Sequence, residues 1–310
     1  MRCKLFLGLL AASLLLLLPT FLVAETVTAN FEQGKGTYAA PVTDVVDAFT
    51  GNAGDGWTAG WITPGSTANV YPTHEVLGEL DGGYDEVAED NYLHFNAMIT
   101  ATSSGRFAAV SRNYSDGIDT TKDHTLSFSY RIDEDLSSSG KFTTSNDRYE
   151  IHDLALSSED TTTSFGSTKL NTWGLAIYGN LDTRSGHWLI RNSAGTCDTG
   201  IVAATGVTYD ITLDFHMAAG TYDVSIAGDD NSSFSGSNFV FYDAGGTLGN
   251  AVTGYLNFTS QGQRDDGEDY NYREFSIDGI SVVQVPEPSM FIMVFSMLVV
   301  GLVGGRSRKR

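Results

Sequence analysis

Period-two alternation of apolar and polar side chains is what most limits the folds open to this chain. His124–Ile132 puts Leu126, Phe128, Tyr130 and Ile132 on one face and Thr125, Ser127, Ser129 and Arg131 on the other. Thr208–His216 repeats the pattern with Tyr209, Ile211, Leu213 and Phe215, and the segment after Gly220 repeats it with Tyr222, Val224 and Ile226. Trp173, Leu175 and Ile177 follow the same rule, as do Phe275 and Ile277 ahead of Ile280 and Val282. Successive strand residues point to opposite faces, so each segment reads as an antiparallel strand buried on one side. Between the terminal segments no apolar stripe recurs at helical spacing over three turns. Many short strands, turn residues between them and no βαβ rhythm predict an all-β fold, an antiparallel two-sheet sandwich.

Asp214–Asp223 reads as one hairpin turning near Ala218–Gly220. Residues 25–90 are less regular and glycine-rich, with Pro41, Pro64 and Pro72, and predict a first strand followed by long loops. No internal repeat and no long linker divides residues 25–284, so one β-sandwich domain is expected there.

The two ends read differently. Arg2 and Lys4 precede an apolar run, Leu5–Leu18, and then an exit from Pro19 to a cleavage point at Ala24, which predicts a helical signal peptide over residues 1–24. At the other end Pro286-Glu287-Pro288 is followed by an apolar stretch over 289–305 and by Arg306, Arg308, Lys309 and Arg310. The prolines favour an extended handle, the stretch sits at the short limit for a transmembrane helix, and the basic end stays on the cytoplasmic side. Residues 285–310 therefore read as a sorting tail. This tail resembles the PEP-CTERM signal of bacteria with an outer membrane. The resemblance implies export by the general secretion machinery and transient anchoring in the inner membrane. It also implies processing by the protease exosortase at Pro286, Glu287 and Pro288, and release to the cell surface or extracellular matrix.

The chain holds 18 basic and 38 acidic residues, and six of the basic ones but only one acid, Glu287, lie in the terminal segments. The body is thus strongly acidic, which disfavours nucleic acid and anionic lipid as partners. Cys197 is the one cysteine left once the signal peptide with Cys3 is removed, so the mature chain can form no internal disulfide. Its stretch, NSAGTCDTG, predicts a partly exposed thiol.

Two stretches of the body, ANFE at 29–32 with Trp57 and Trp61, and FSIDGISV at 275–282, resemble extracellular jelly rolls of the laminin-G-like, concanavalin-like or carbohydrate-binding kinds. DTGIVAATGVTYDITLDF with GTYDVSI resembles their central hairpins. The resemblance implies that the first and last strands lie together, sometimes around a structural Ca2+, for which Glu32 and Asp278 would offer hard oxygens. The alternative, that both are solvated strand-end acids, stays open. The acidic stretch 265–269 reads as a charged turn.

Exposed aromatic rings can stack on sugars, which makes Trp188, Trp57, Trp61 and Trp173 candidate platforms; the competing reading buries each in the core. For catalysis, Asp147–Asp153 offers alternating acids. Asp147 and Asp153 share the parity of Tyr149 and Ile151, while Glu150 and His152 share the other face. This does not match the glutamate-x-aspartate-x-x-glutamate pattern of concanavalin-like hydrolases, and a polar face turned to water explains it equally well. The six histidines show no metal-ligand spacing, and no nucleophile elbow or phosphate loop is present. The expectation is an exported protein of the cell surface or exopolysaccharide matrix, non-catalytic, structural or adhesive, that binds carbohydrate. The alternative is a secreted polysaccharide-active enzyme.

Overall fold

The computed structural model describes residues 25–29, 31, 61, 70–78, 91–100, 106–114, 117–136, 142–144, 147–153, 172–242, 254–262 and 271–285. The segments expected to be a signal peptide and a sorting tail, together with Trp57, Glu32 and the acidic stretch 265–269, lie outside them, Val285 excepted. The unit Glu25–Gln284 holds the described strands, and of the unit formed by Met1–Ala24 and Val285–Arg310 only Val285 is described.

Fourteen strands are described: β1 Thr26–Ala29, β2 Val70–Gly78, β3 Asn91–Ile99, β4 Arg106–Asn113, β5 His124–Ile132, β6 Arg148–Asp153 and β7 Gly174–Tyr178, then β8 His187–Asn192, β9 Gly195–Val202, β10 Thr208–His216, β11 Thr221–Gly228, β12 Ser233–Val240, β13 Tyr255–Gly262 and β14 Asn271–Gln284. All pairings are antiparallel. They build an eight-stranded sheet, β12-β11-β10-β5-β14-β3-β2 with β1 also on β14, and a six-stranded sheet, β4-β13-β6-β7-β8-β9. The alternating strands behave as their pattern dictates: Leu126, Phe128, Tyr130 and Ile132 of β5 are buried, as are Tyr209, Ile211, Leu213 and Phe215 of β10. The hairpin turn falls at 217–220, where Gly220 supplies a φ of 65°.

The second proposed hairpin is corrected. DTGIV belongs to β9, on the six-stranded sheet, and the chain then crosses to β10 on the other sheet. Alternation identifies strands but carries no information about which sheet each joins.

The first and last strands do lie together: Thr26–Ala29 pair with Val283–Ile280. Just beyond, the β14–β5 register slips between Asp278 and Ser281, at Gly279, whose φ is +58°. This bulge explains an oddity of the sequence. Ile277 and Ile280 are three residues apart, yet both are buried, because one extra residue rephases the strand.

The inner faces interlock through aromatic rings. Phe128 of the eight-stranded sheet meets Phe258 of the six-stranded sheet edge-on at 5.3 Å, and Trp188 sits 5.8 Å from Tyr130 and 5.5 Å from Tyr209. One charged clamp also joins the sheets. Arg273 of β14, with no side-chain exposure, donates to Glu134 Oε2 (2.9 Å), Asp147 Oδ1 (2.5 Å) and the carbonyl of Gln261 on β13 (3.1 Å). Gly262 makes room for it, since a Cβ there would lie 2.8 Å from Arg273 Nε. Asp147 Oδ2 in turn accepts from Thr143 N, Thr144 N and Thr144 Oγ1.

Candidate functional site

Strand register assembles a polar array on the outer face of the six-stranded sheet. Asn257 of β13 stands opposite Ser111 of β4 on one side and His152 of β6 on the other. One row along, Thr259 is opposite Glu150, which is opposite Ala176. The next row aligns Gln261, Arg148 and Tyr178. Same-face neighbours on adjacent strands have Cβ atoms about 5 Å apart, so these side chains stand within reach of one another.

Their hydrogen bonds are specific. His152 Nδ1 donates to the carbonyl of Asp153 (3.0 Å), which leaves Nε2 as an acceptor for Asn257 Nδ2 (3.2 Å). Burial holds the His152 pKa below its ordinary value, in keeping with a neutral ring. Asn257 Nδ2 also donates to Thr259 Oγ1 (2.7 Å). Glu150 Oε1 accepts from the Tyr178 hydroxyl (3.2 Å) and lies 3.3 Å from Arg148 Nε. Asn257 Oδ1, Gln261 Oε1 and Ser111 Oγ are buried and have no hydrogen-bond partner among the described residues. Each such atom costs roughly 1–3 kcal/mol, and a hydroxyl, from water or from a ligand, would offset that cost.

This burial corrects the expectation of a polar strand face turned to water. Glu150 is 1% exposed, and His152 and Asp153 are fully buried. The parity reading holds, but both faces of β6 are covered, and alternation within one strand is blind to a second covering layer.

The same geometry separates the acids by role. Asp147 and Asp153 are inward and structural: Asp147 belongs to the arginine clamp, and Asp153 accepts from the backbone of Thr172 and Trp173 and from the Thr172 hydroxyl. Besides Glu150, the array row carries Asp198 of β9, through Ala176 and Leu189. Three strand spacings place it about 14 Å from Glu150, beyond the ~5–9.5 Å that paired glycosidase carboxylates use. Asp198 instead accepts from His187 Nδ1 at 2.9 Å when that nitrogen is protonated.

The tryptophan platforms need correction as well. Trp188 is 1% exposed, and Trp61 and Trp173 are fully buried. Trp61 packs 6.2 Å from Phe31 and 6.4 Å from Phe258, beneath the Arg112 guanidinium at 5.7 Å. Burial pulls that guanidinium down to about 9. These indoles are core anchors and offer no face to a sugar; the inward parity of Trp188 with Ile190 was the legible sign. Asp278 lies on the outer face of the eight-stranded sheet opposite Ser129. Among the described residues no group of three or more His, Cys, Asp or Glu converges to hold a metal ion. Cys197 is half-buried in β9 and packs against the core.

The array residues Asn257, Thr259, Gln261 and Ser111 were not anticipated. Their polarity alone is unremarkable, and only cross-strand register gathers them. No protein-family model matches this chain and no curated protein matches its sequence. Among solved structures, peanut lectin bound to a 9-mer peptide superposes with a TM-score of 0.40 at 13% identity, over 74% of this chain and 100% of that one. A protein of unknown function from Shewanella oneidensis MR-1 gives 0.44 at 12% identity, over 88% and 92%. The catalytic domain of a GH131 beta-glucanase from Podospora anserina gives 0.34 at 13%, over 62% and 73%. These likenesses are distant, and the functional reading is carried by the side chains described above.

Proposed function

We propose that this chain is an exported, non-catalytic sandwich of the cell surface or exopolysaccharide matrix that binds polysaccharide on the outer face of its six-stranded sheet. The carrying observation is the set of buried acceptors without donors among the described residues, Asn257 Oδ1 and Gln261 Oε1, beside Ser111 Oγ, Thr259 and Glu150. Sugar hydroxyls are the donors such a set matches. The face is closed to bulk solvent here, so binding requires that it be uncovered. The roughly 14 Å between Glu150 and Asp198 supports a binding role over hydrolysis. Export and sorting rest on the two terminal segments, with exosortase acting at Pro286, Glu287 and Pro288.

The test is a glycan array probed with the full-length protein, run beside a reducing-sugar assay on the retained polysaccharides. Retention without sugar release, reduced about tenfold or more in Asn257→Ala and Gln261→Ala, is the expected result. Release of reducing ends would establish the enzyme alternative instead, and retention indifferent to both substitutions would remove the array as the site. For sorting, replacing Pro286, Glu287 and Pro288 with alanine should hold full-length protein in the inner membrane on fractionation. Equal release of variant and wild type would dismiss the exosortase reading.

A further inference from the structure

The outer face of the eight-stranded sheet carries a different constellation, on strands remote from the array. Register places His94, Ser276, Arg131 and Thr208 in one row across β3, β14, β5 and β10. The adjacent row holds Asp278, Ser129 and Asp210. Three short side chains, Ser129, Thr208 and Ser276, thus flank the long one of Arg131, which reaches over the Tyr92 ring. Where short residues neighbour long ones on a flat sheet, a hollow forms. Here it is a recess of about 150 Å³ lined by these five together with Tyr130, Ile277 and Asp278. At ~30 Å³ per water that is room for about five waters, enough for one sugar ring.

Ser276, His94 and Asp133 suggest a nucleophilic triad by residue type, but the geometry is wrong for one. Ser276 Oγ donates straight to Asp133 Oδ2 (2.5 Å), and His94 Nδ1 lies 3.3 Å from Ser276 Oγ and 3.4 Å from the same carboxylate. The histidine is not placed between serine and acid, so it cannot take the serine proton while the aspartate orients the ring and stabilises its charge.

The hydrogen bonds instead set the polarity of the recess. A hydroxyl has one donor and two acceptor sites. Ser276 spends its donor on Asp133, and Ser129 spends its own on Asp210 Oδ1 (2.7 Å). Both therefore offer only acceptors to a ligand, as does Asp278. Arg131 is held by Asp133 through Nε (2.6 Å) and lies 5.1 Å over the Tyr92 ring. An acceptor-rich hollow, bordered by a guanidinium that covers the Tyr92 ring, suits an uncharged ligand that brings several hydroxyl donors. The carboxylates of Asp133, Asp210 and Asp278, in a chain of net charge −20, repel anions.

We propose that this recess is a second saccharide site, taking a single uncharged sugar residue, and that the chain is thereby bivalent. Two sites on opposite sheets would let one molecule bridge two polysaccharide strands, with avidity well above either site alone. The recess stands on residues other than the array's, while the bridging rests on the array as the first site.

The experiment uses the full-length chain in detergent and methyl glycosides of glucose, galactose and mannose at tens of millimolar. Binding is read by saturation-transfer NMR and by competition against a retained polysaccharide. Tyr92→Ala removes the ring on which Arg131 rests at the border of the recess, and Ser129→Gln fills the hollow from an outward position. Both are expected to weaken glycoside binding about tenfold or more with thermal melting unchanged, and to abolish turbidity when protein is mixed with soluble polysaccharide. Undiminished binding in both variants overturns the recess, as does binding of calcium alone with no glycoside. Binding lost only in Asn257→Ala would leave the array standing and remove the recess. Binding lost only in the two recess variants would do the reverse.

Discussion

Replacing Glu134 with glutamine probes the charged clamp between the sheets. Glu134 is 10% exposed, accepts from Arg273 and from the Tyr149 hydroxyl, and faces the like charge of Asp147. Burial outweighs Arg273 and pushes its carboxyl from 4.5 up to about 7. The folded chain therefore holds this proton more tightly than the unfolded one. Its contribution to stability is complete below pH 4.5 and is lost as pH rises through 7. A shift of this size corresponds to about 3 kcal/mol at 1.36 kcal/mol per unit. For a domain this large, it is a melting change of roughly 6–12 °C. Other groups work in the opposite direction. Burial depresses the pKa of His124 and His152, whose charging opposes folding as pH falls below 6.5, and the His94, Ser276 and Arg131 contacts hold Asp133 low. The diagnostic quantity is hence the difference between wild type and Glu134→Gln, measured by circular-dichroism melting from pH 4.5 to 7.5. Glutamine keeps the acceptor for Arg273 and cannot ionise. The wild type should lose stability relative to the variant across that range, and parallel curves would refute a buried, proton-holding Glu134.

Three further outcomes are expected. Gly279→Ala should cost about 1–2 kcal/mol in denaturant melts, because its φ of +58° is left-handed and its Cβ would meet nothing closer than Ser129 Oγ at 3.8 Å; a neutral result would mean that the bulge relaxes. Trp188→Ala should cost about 3–5 kcal/mol as a core truncation, whereas an unchanged midpoint with lost sugar binding would return the indole to the surface. If Asp278 and Glu32 hold Ca2+, calcium at a hundred times its Kd should add about 2.7 kcal/mol. That gain should vanish with chelator and shrink in Asp278→Asn, and no melting shift at millimolar calcium would make both acids merely solvated.

Local pattern determined a good deal of this protein. The alternation in β5, β10 and β11 named their buried residues, and glycine placed the β10–β11 turn, because side-chain period and positive φ are properties of a few consecutive residues. The paired β1 and β14 also followed expectation. What the tertiary structure decided is everything that depends on a partner distant in sequence. It sent β9 to the opposite sheet and covered the second face of β6. It turned Trp61 inward and rephased β14 at Gly279 so that Ile277 and Ile280 share the core. The array and the recess belong to that second class. Asn257 meets His152 across 105 residues and Ser276 meets Asp133 across 143, and no local period encodes such neighbours; only the register between strands does.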